Sequence, residues 1–321
     1  MEMLKSLKRD ILNGYSITRQ EAISLYKLPL ESLVTTANEI REKMCGDSFD
    51  MCTIINGKSG RCSENCKYCA QSSFYKTNID EYPLLEAKKI VDAAEKNHLG
   101  GVLRFSIVTS GRSLNDEEIN SVCESYKDIG KKCGISLCAS HGLLSLEQFK
   151  KLKEAGVTRY HNNLETSRRF FEKICTTHTY DEKIEAIKRA QQAGLEVCSG
   201  GILGLGEDIE DRIDMVMDIK ALGIKSLPVN ILNPIPGTPL ENASKLSQEE
   251  IIKSISIFRF IMPDGAIRLA GGRALLEDMG RKAFLSGANA AISGDMLTTL
   301  GISLKDDIDM ITSCGYKVKK I

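Results

Sequence analysis

The stretch NGKSGRCSENCKYCAQSS, residues 56–73, sets cysteines at positions 62, 66 and 69. Thiolates spaced Cys-x3-Cys-x2-Cys, with no histidine close by, make a metal-binding loop that is one ligand short. A structural zinc site or an ordinary electron-transfer iron–sulfur cluster closes with four protein ligands. Cys62, Cys66 and Cys69 therefore describe a metal centre with one corner left open. The blander reading is a zinc loop completed by a distant residue.

The elements that must position this loop are legible in outline. Eight short apolar or β-branched runs recur along the chain: DMCTII, GVLRFSIV, GISLC, VTRYHNN, LEVCSGG, SLPVNIL, AIRLAG and NAAIS. Amphipathic stretches such as LLEAKKIVDAAEKN and DRIDMVMDIKALG separate them, and Gly130, Gly156, Gly194 and Gly223 stand where helix C-terminal caps are expected. About eight strand–helix units predict an α/β fold, a TIM-type (β/α)8 barrel, whose active site gathers at the C-terminal strand ends. An open doubly wound sheet is the alternative. Residues 1–45 read as an N-terminal helical extension, with a capping box at Thr18 and Glu21, and residues 46–321 as the barrel.

Composition narrows the function. The 321 residues carry 43 basic and 43 acidic side chains, so neither a nucleic-acid groove nor an anionic membrane surface is expected as the main partner. No apolar run is long enough to span a membrane, and the charged opening MEMLKSLKRDILNG makes a cytoplasmic location the default expectation. In that compartment eleven cysteines point to metal or redox chemistry rather than disulfides.

With Tyr68 just before its last cysteine, the triplet resembles that of the radical S-adenosylmethionine (SAM) family. The resemblance implies a 4Fe–4S cluster held by Cys62, Cys66 and Cys69, with SAM on the open iron. One electron would then cleave SAM to a 5′-deoxyadenosyl radical that abstracts hydrogen from unactivated carbon. The glycines of VCSGGILGLGED, read alone, make a tight strand-to-helix turn or a weak dinucleotide fingerprint. In that family such a strand end approaches the methionine portion of SAM, which adds Gly200 and Gly201, with Tyr68, to the cofactor-binding set.

The stretches around the triplet, LRF, YHNNLETS, VCSGGILGLGE, PVNILNPIPGTPL and IRLAGGR together resemble the biotin synthases, from about residue 35 almost to the C-terminus. That implies conversion of dethiobiotin to biotin by a homodimeric sulfurtransferase, with reduced flavodoxin or ferredoxin as electron donor. It implies that Asn163 and Asn230 contact dethiobiotin, that Glu165 reaches the SAM ribose, and that Arg104 and Lys183 meet SAM's polar groups. Amides at strand ends, Asn162 among them, suit a neutral ureido ring. His161 reads as a structural histidine, and His98, His141 and His178 have no evident partner.

The best-known members hold a second, sulfur-donating cluster through cysteines on the second, third and fifth strands and an arginine on the seventh. Cys138, Cys198 and Arg268 match, but Ser106 stands at the second-strand position. A hydroxyl is a poor substitute for thiolate on iron. Cys52, in the first run with the parity of Ile54 and Asn56, is the expected replacement; Cys45 is a second candidate. The auxiliary cluster is then either 2Fe–2S or a larger cluster carrying extra sulfide. Two alternatives stay open. One is a related barrel enzyme of the hydrogenase-maturase or methylornithine-synthase kind, which donates no sulfur. The other is a metal-sensing or electron-transfer protein.

Overall fold

In the computed structural model, which describes residues 2–294, 296–298 and 301–321, each of the eight apolar runs becomes part of one parallel sheet. Its strands are β1 (Ser48–Lys58), β2 (Arg104–Thr109), β3 (Ser136–Ser140), β4 (Val157–His161), β5 (Glu196–Cys198), β6 (Gly201–Leu203), β7 (Ser226–Ile231), β8 (Ala266–Leu269), β9 (Ala290–Ser293) and β10 (Lys317–Val318). Neighbours follow chain order from β1 to β9, with β5 and β6 sharing one position beside β7. Pairing of β1 with β9 closes the barrel, while β10 adds only to the start of β1. This is a closed eight-position barrel, not an open sheet.

Alternation along each strand sorts the side chains. Phe105, Ile107, Leu137, Val197 and Leu227 point outward and pack under the surrounding helices. Residues of the opposite parity, including Asp50, Cys52, Arg104, Ser106, Cys138, Arg159, Cys198 and Arg268, face the lumen. That lumen is therefore unusually polar for a barrel interior.

Ahead of the barrel lie helices Glu2–Leu12, Arg19–Leu25 and Leu30–Cys45, the second carrying the expected Thr18–Glu21 capping box. Gly156, Gly194 and Gly223 follow helix ends with positive φ, which glycine adopts without steric cost. Gly130 departs from expectation: helix Asp116–Lys132 runs through it and stops at Cys133. Among the described residues no helix is long and apolar enough to cross a membrane.

Candidate active site

The cysteine loop leaves the C-terminal end of β1 and folds back on itself. Cys62 N–H donates to the Gln71 carbonyl (2.9 Å), and Ser73 N–H to the Cys62 carbonyl (2.9 Å). Burial pushes the Cys69 thiol up to about 11, while main-chain N–H groups of Gln71 and Ser72 reach its sulfur and favour the thiolate. Burial likewise raises the Cys62 thiol, against main-chain donors at Glu64 and Gly111. The Cys66 sulfur lies 3.7 Å from that of Cys175.

Below the loop a cavity of about 400 Å³ opens into the lumen. Tyr68, Cys69, Asn163, Glu165 and Asn230 line its upper part, and Cys52, Cys138, Cys198, Arg104, Arg159 and Arg268 its lower part. Ile54, Val108, Ile202 and Ile292 give it apolar walls.

Glu165 holds φ at +71°, a conformation that costs energy in a residue with a Cβ. Its main chain is pinned there: Glu165 N–H donates to the Gly200 carbonyl (3.0 Å), and Ile202 N–H to the Glu165 carbonyl (2.9 Å). Burial pushes its carboxyl above the ordinary range, opposed by Lys183, whose Nζ stands 4.0 Å away. The Asn163 amide accepts from Gly200 N–H (3.1 Å) and donates to Glu165 (3.3 Å). Asn230 accepts from Gly271 N–H (2.9 Å) and donates to the Gly201 carbonyl (3.1 Å). Each primary amide thus keeps one N–H and one lone pair for a ligand. Asn162 turns away from the cavity, toward Lys183 at 3.4 Å.

Gly200 and Gly201 have no room for a side chain. A Cβ at Gly200 would stand 1.8 Å from the Pro228 carbonyl oxygen, and one at Gly201 2.3 Å from that of Glu165. At Gly200 the close approach is backbone against backbone; at Gly201 the Met215 sulfur, also at 2.3 Å, shares in it.

At the floor, Asp50 gathers three arginines: Arg104 at 3.0 Å, Arg268 at 3.3 Å and Arg159 at 3.8 Å. Arg104, expected near SAM, lines the cavity and pairs with Asp50, its strand position opposing Cys52 low in the lumen. Burial opposes ionisation of Asp50, but Arg268, Arg104 and Arg159 hold its carboxyl below the usual carboxylate range. Nη1 of Arg159 and Nη2 of Arg268, the atoms that face Asp50, are buried and ion-paired with it but make no hydrogen bond, while Nε and Nη2 of Arg159 donate to Glu196 (3.0 and 2.9 Å).

Three thiols stand among these charges. Burial raises Cys52, against the pull of Arg268, and raises Cys138 to about 12, against that of Arg159. The Arg268 guanidinium in turn feels Cys52, Cys198 and Cys138. Ser106 opposes Cys138 across β2 and β3 and Ile54 across β1 and β2. Cys45 drops out as a lumen ligand: its sulfur faces Arg259 (3.4 Å) outside the barrel. His161 is neutral, burial pulling it down to about 4, and touches Ser140 at 3.3 Å.

Sequence reasoning missed Asp50, Arg159, Cys175 and His178. Strand parity could have found the first two, which alternate with Cys52 and His161. The Cys175–His178 pair meets the cysteine loop only through the fold.

The radical SAM superfamily model matches residues 58–219, and that of the biotin and thiamin synthesis associated domain matches 228–317. Biotin synthases of Akkermansia muciniphila and Clostridium botulinum strain Hall are each 58% identical to this chain. The alignments cover 99% of this chain in both cases, and 99% and 100% of those proteins. The chain belongs to the biotin synthase family. It is a radical SAM enzyme of the sulfurtransferase type. Among solved structures, methylornithine synthase superposes with a TM-score of 0.86 at 21% identity, covering 98% of this chain and 97% of that one. A hydrogenase maturase from Carboxydothermus hydrogenoformans gives 0.82 at 17%, covering 98% and 79%. These two support the barrel fold.

Membership implies a 4Fe–4S cluster and SAM, and the biotin synthase loop fits them. Cys62 and Cys69 receive main-chain donors suited to thiolate ligands, and Glu165 and Lys183 offer opposite charges beside the loop.

Proposed function

We propose that this enzyme converts dethiobiotin to biotin, inserting one sulfur between two saturated carbons. Cys62, Cys66 and Cys69 hold the SAM-binding cluster; Cys52, Cys138, Cys198 and Arg268 hold the sulfur-donating one. The observation that carries the second assignment is the charge balance of the lower lumen. Three guanidinium groups converge on Asp50, and only Arg159 finds a second carboxylate, the exposed Glu196 at 2.9 Å, so one positive charge stays unbalanced; the Arg159 and Arg268 nitrogens that face Asp50 make ion pairs with it but no hydrogen bond. Buried donors without partners are costly. A thiolate- and sulfide-bearing iron cluster is the anionic group that would satisfy both the unbalanced guanidinium charge and the three surrounding thiols. When bound, the two clusters and SAM supply the deoxyadenosyl radical and the sulfur.

The chain's own residues do the positioning. Asn163 and Asn230 each retain one donor and one acceptor, which suits a ureido ring lying between the two cysteine sets. Glu165 is held by its pinned backbone to meet the SAM ribose, with Lys183 beside it. Ile54, Val108, Ile202 and Ile292 keep water from a carbon radical that would otherwise abstract hydrogen indiscriminately. Ligation displaces protons from Cys52 and Cys138, which burial keeps as thiols before loading. Reduced flavodoxin or ferredoxin as electron donor, and a homodimeric assembly, complete the reading.

Anaerobic incubation of the reconstituted protein with SAM, dithionite or reduced flavodoxin, and dethiobiotin tests it by mass spectrometry. Biotin with deoxyadenosine is the expected product pair. Deoxyadenosine without biotin, from a preparation loaded with both clusters, would overturn the assignment of substrate.

A further inference from the structure

Beside the cysteine loop, the Cys66 sulfur stands 3.7 Å from that of Cys175. Cys175 is buried, in the segment between helices Arg168–Phe171 and Tyr180–Gln192. The reading above gives it no part in the reaction.

Loop and segment are clamped together. Lys67 N–H donates to the Ile174 carbonyl (2.9 Å), and Asn65 N–H to the Thr177 hydroxyl (3.1 Å). The Asn65 amide donates to the Thr176 hydroxyl at 2.7 Å. His178 Nδ1 lies 3.3 Å from the Cys175 sulfur and also meets the Glu64 carboxylate. A carboxylate only accepts, so Nδ1 carries a proton and offers Cys175 no lone pair. The Thr177 hydroxyl (2.6 Å) and Arg112 (3.5 Å) hold Glu64 in turn.

These contacts decide where a Cys175 proton is directed. Asn65 Oδ1, at 3.5 Å, already accepts from the N–H groups of Thr176 (2.9 Å) and Thr177 (3.3 Å). The Thr177 hydroxyl, at 3.6 Å, already accepts from Asn65 N–H. The remaining acceptor is the Cys66 sulfur, which becomes an anion once iron binds, and charged acceptors make the stronger bonds. Before loading, Cys66 is the donor across this contact. Iron takes Cys66 as thiolate, which ends that donation, and a second thiolate at 3.7 Å would be repelled by the first. Cys175 therefore holds the proton in the loaded protein.

We propose that Cys175 donates an S–H···S hydrogen bond to the Cys66 ligand of the SAM-binding cluster and raises that cluster's reduction potential. The single electron from the donor protein adds negative charge to the cluster and its thiolates. A hydrogen bond to a ligand sulfur stabilises this reduced state more than the oxidised one. His178 and Glu64 act through Cys175 as positioning residues. The proposal rests on Cys66 being a cluster ligand in the proposed reading.

The test is an EPR-monitored redox titration of the full-length reconstituted protein, following the reduced-cluster signal that SAM perturbs. Cys175→Ala should keep the iron of this cluster and move its midpoint to more negative potential. The expected shift is roughly tenfold in the one-electron equilibrium, or about 59 mV. Cys175→Val, which fills the space without a donor, should shift likewise. Cys175→Ser keeps a donor and should stay within roughly threefold of wild type, on the same scale. After exchange into D2O, electron–nuclear double resonance should show a deuteron coupling that Cys175→Ala lacks, which a packing role would not move. Equal potentials in wild type, Cys175→Ala and Cys175→Val would overturn the proposal. So would loss of the cluster's iron in Cys175→Ala and Cys175→Ser, which would make Cys175 a ligand. Cys66→Ala checks the ligand assignment separately: it should lose this cluster, and full retention would overturn the reading beneath the proposal. Dethiobiotin is absent throughout, so these outcomes are independent of the biotin-forming assay.

Discussion

The Asp50 carboxylate stands 3.3 Å from the Arg268 guanidinium, which also donates to the Asp50 carbonyl at 2.9 Å. The acid thereby fixes the arginine beneath the lumen thiols, and Arg104 and Arg159 converge on the same carboxylate, Arg159 being also bound to Glu196.

Asp50→Asn removes that counter-charge while keeping the shape. Leaving buried guanidiniums uncompensated should cost the cluster-free protein about 3–5 kcal/mol. The loss should be smaller in the reconstituted protein, where the anionic cluster offsets it. Denaturant unfolding with and without reconstitution checks the difference. Asp50 has a folded pKa below its unfolded value, so its contribution is present above about pH 4 and is lost as pH falls through the folded pKa. The variant should show a flatter stability profile in that acid range.

Two buried histidines set a second window. Burial lowers His161 to about 4 and His141 to about 3, the latter held between Thr109 (3.0 Å) and Tyr126 (3.1 Å). Both remain neutral in the fold while the unfolded chain takes up protons below about pH 6.5. Stability should therefore rise with pH between about 4 and 6.5, at up to roughly 1.4 kcal/mol per pH unit for each histidine. Replacing His161 by Gln should halve that slope, measured by urea unfolding across the window.

Glu165→Gln preserves the strained backbone but removes the charge. If Glu165 meets the SAM ribose, the charge-assisted hydrogen bond lost is about 1.5–3 kcal/mol, roughly ten- to a hundredfold in SAM affinity. Thermal stability should stay near wild type, because burial already disfavours the carboxylate. Equilibrium binding of SAM to the reconstituted variant decides it.

What the sequence disclosed follows from locality. Cys62, Cys66 and Cys69 sit in one loop, and each barrel strand carries its own apolar run, so both could be read without tertiary contacts. Cys138, Cys198 and Arg268 were recognisable because their strands fall in order. The pairing of Arg104 with Asp50 was not legible, because a β-strand residue's height in the lumen depends on register, here opposite Cys52. Asp50 and Arg159 looked like ordinary charged positions until closure turned them inward. Cys66 and Cys175 are 109 residues apart and meet only in the fold. Gly200 and Gly201 were legible as constrained, but the Pro228 and Glu165 main chain and the Met215 sulfur that crowd them come from other elements.

The most direct test of the central claim, that Cys52 replaces the thiol missing at Ser106, is the iron and sulfide content of reconstituted Cys52→Ala, read with Mössbauer spectroscopy beside Cys138→Ala. Both variants should keep the SAM-binding cluster, lose the second cluster and form no biotin. A Cys52→Ala protein with a complete second cluster and full biotin formation would contradict the account.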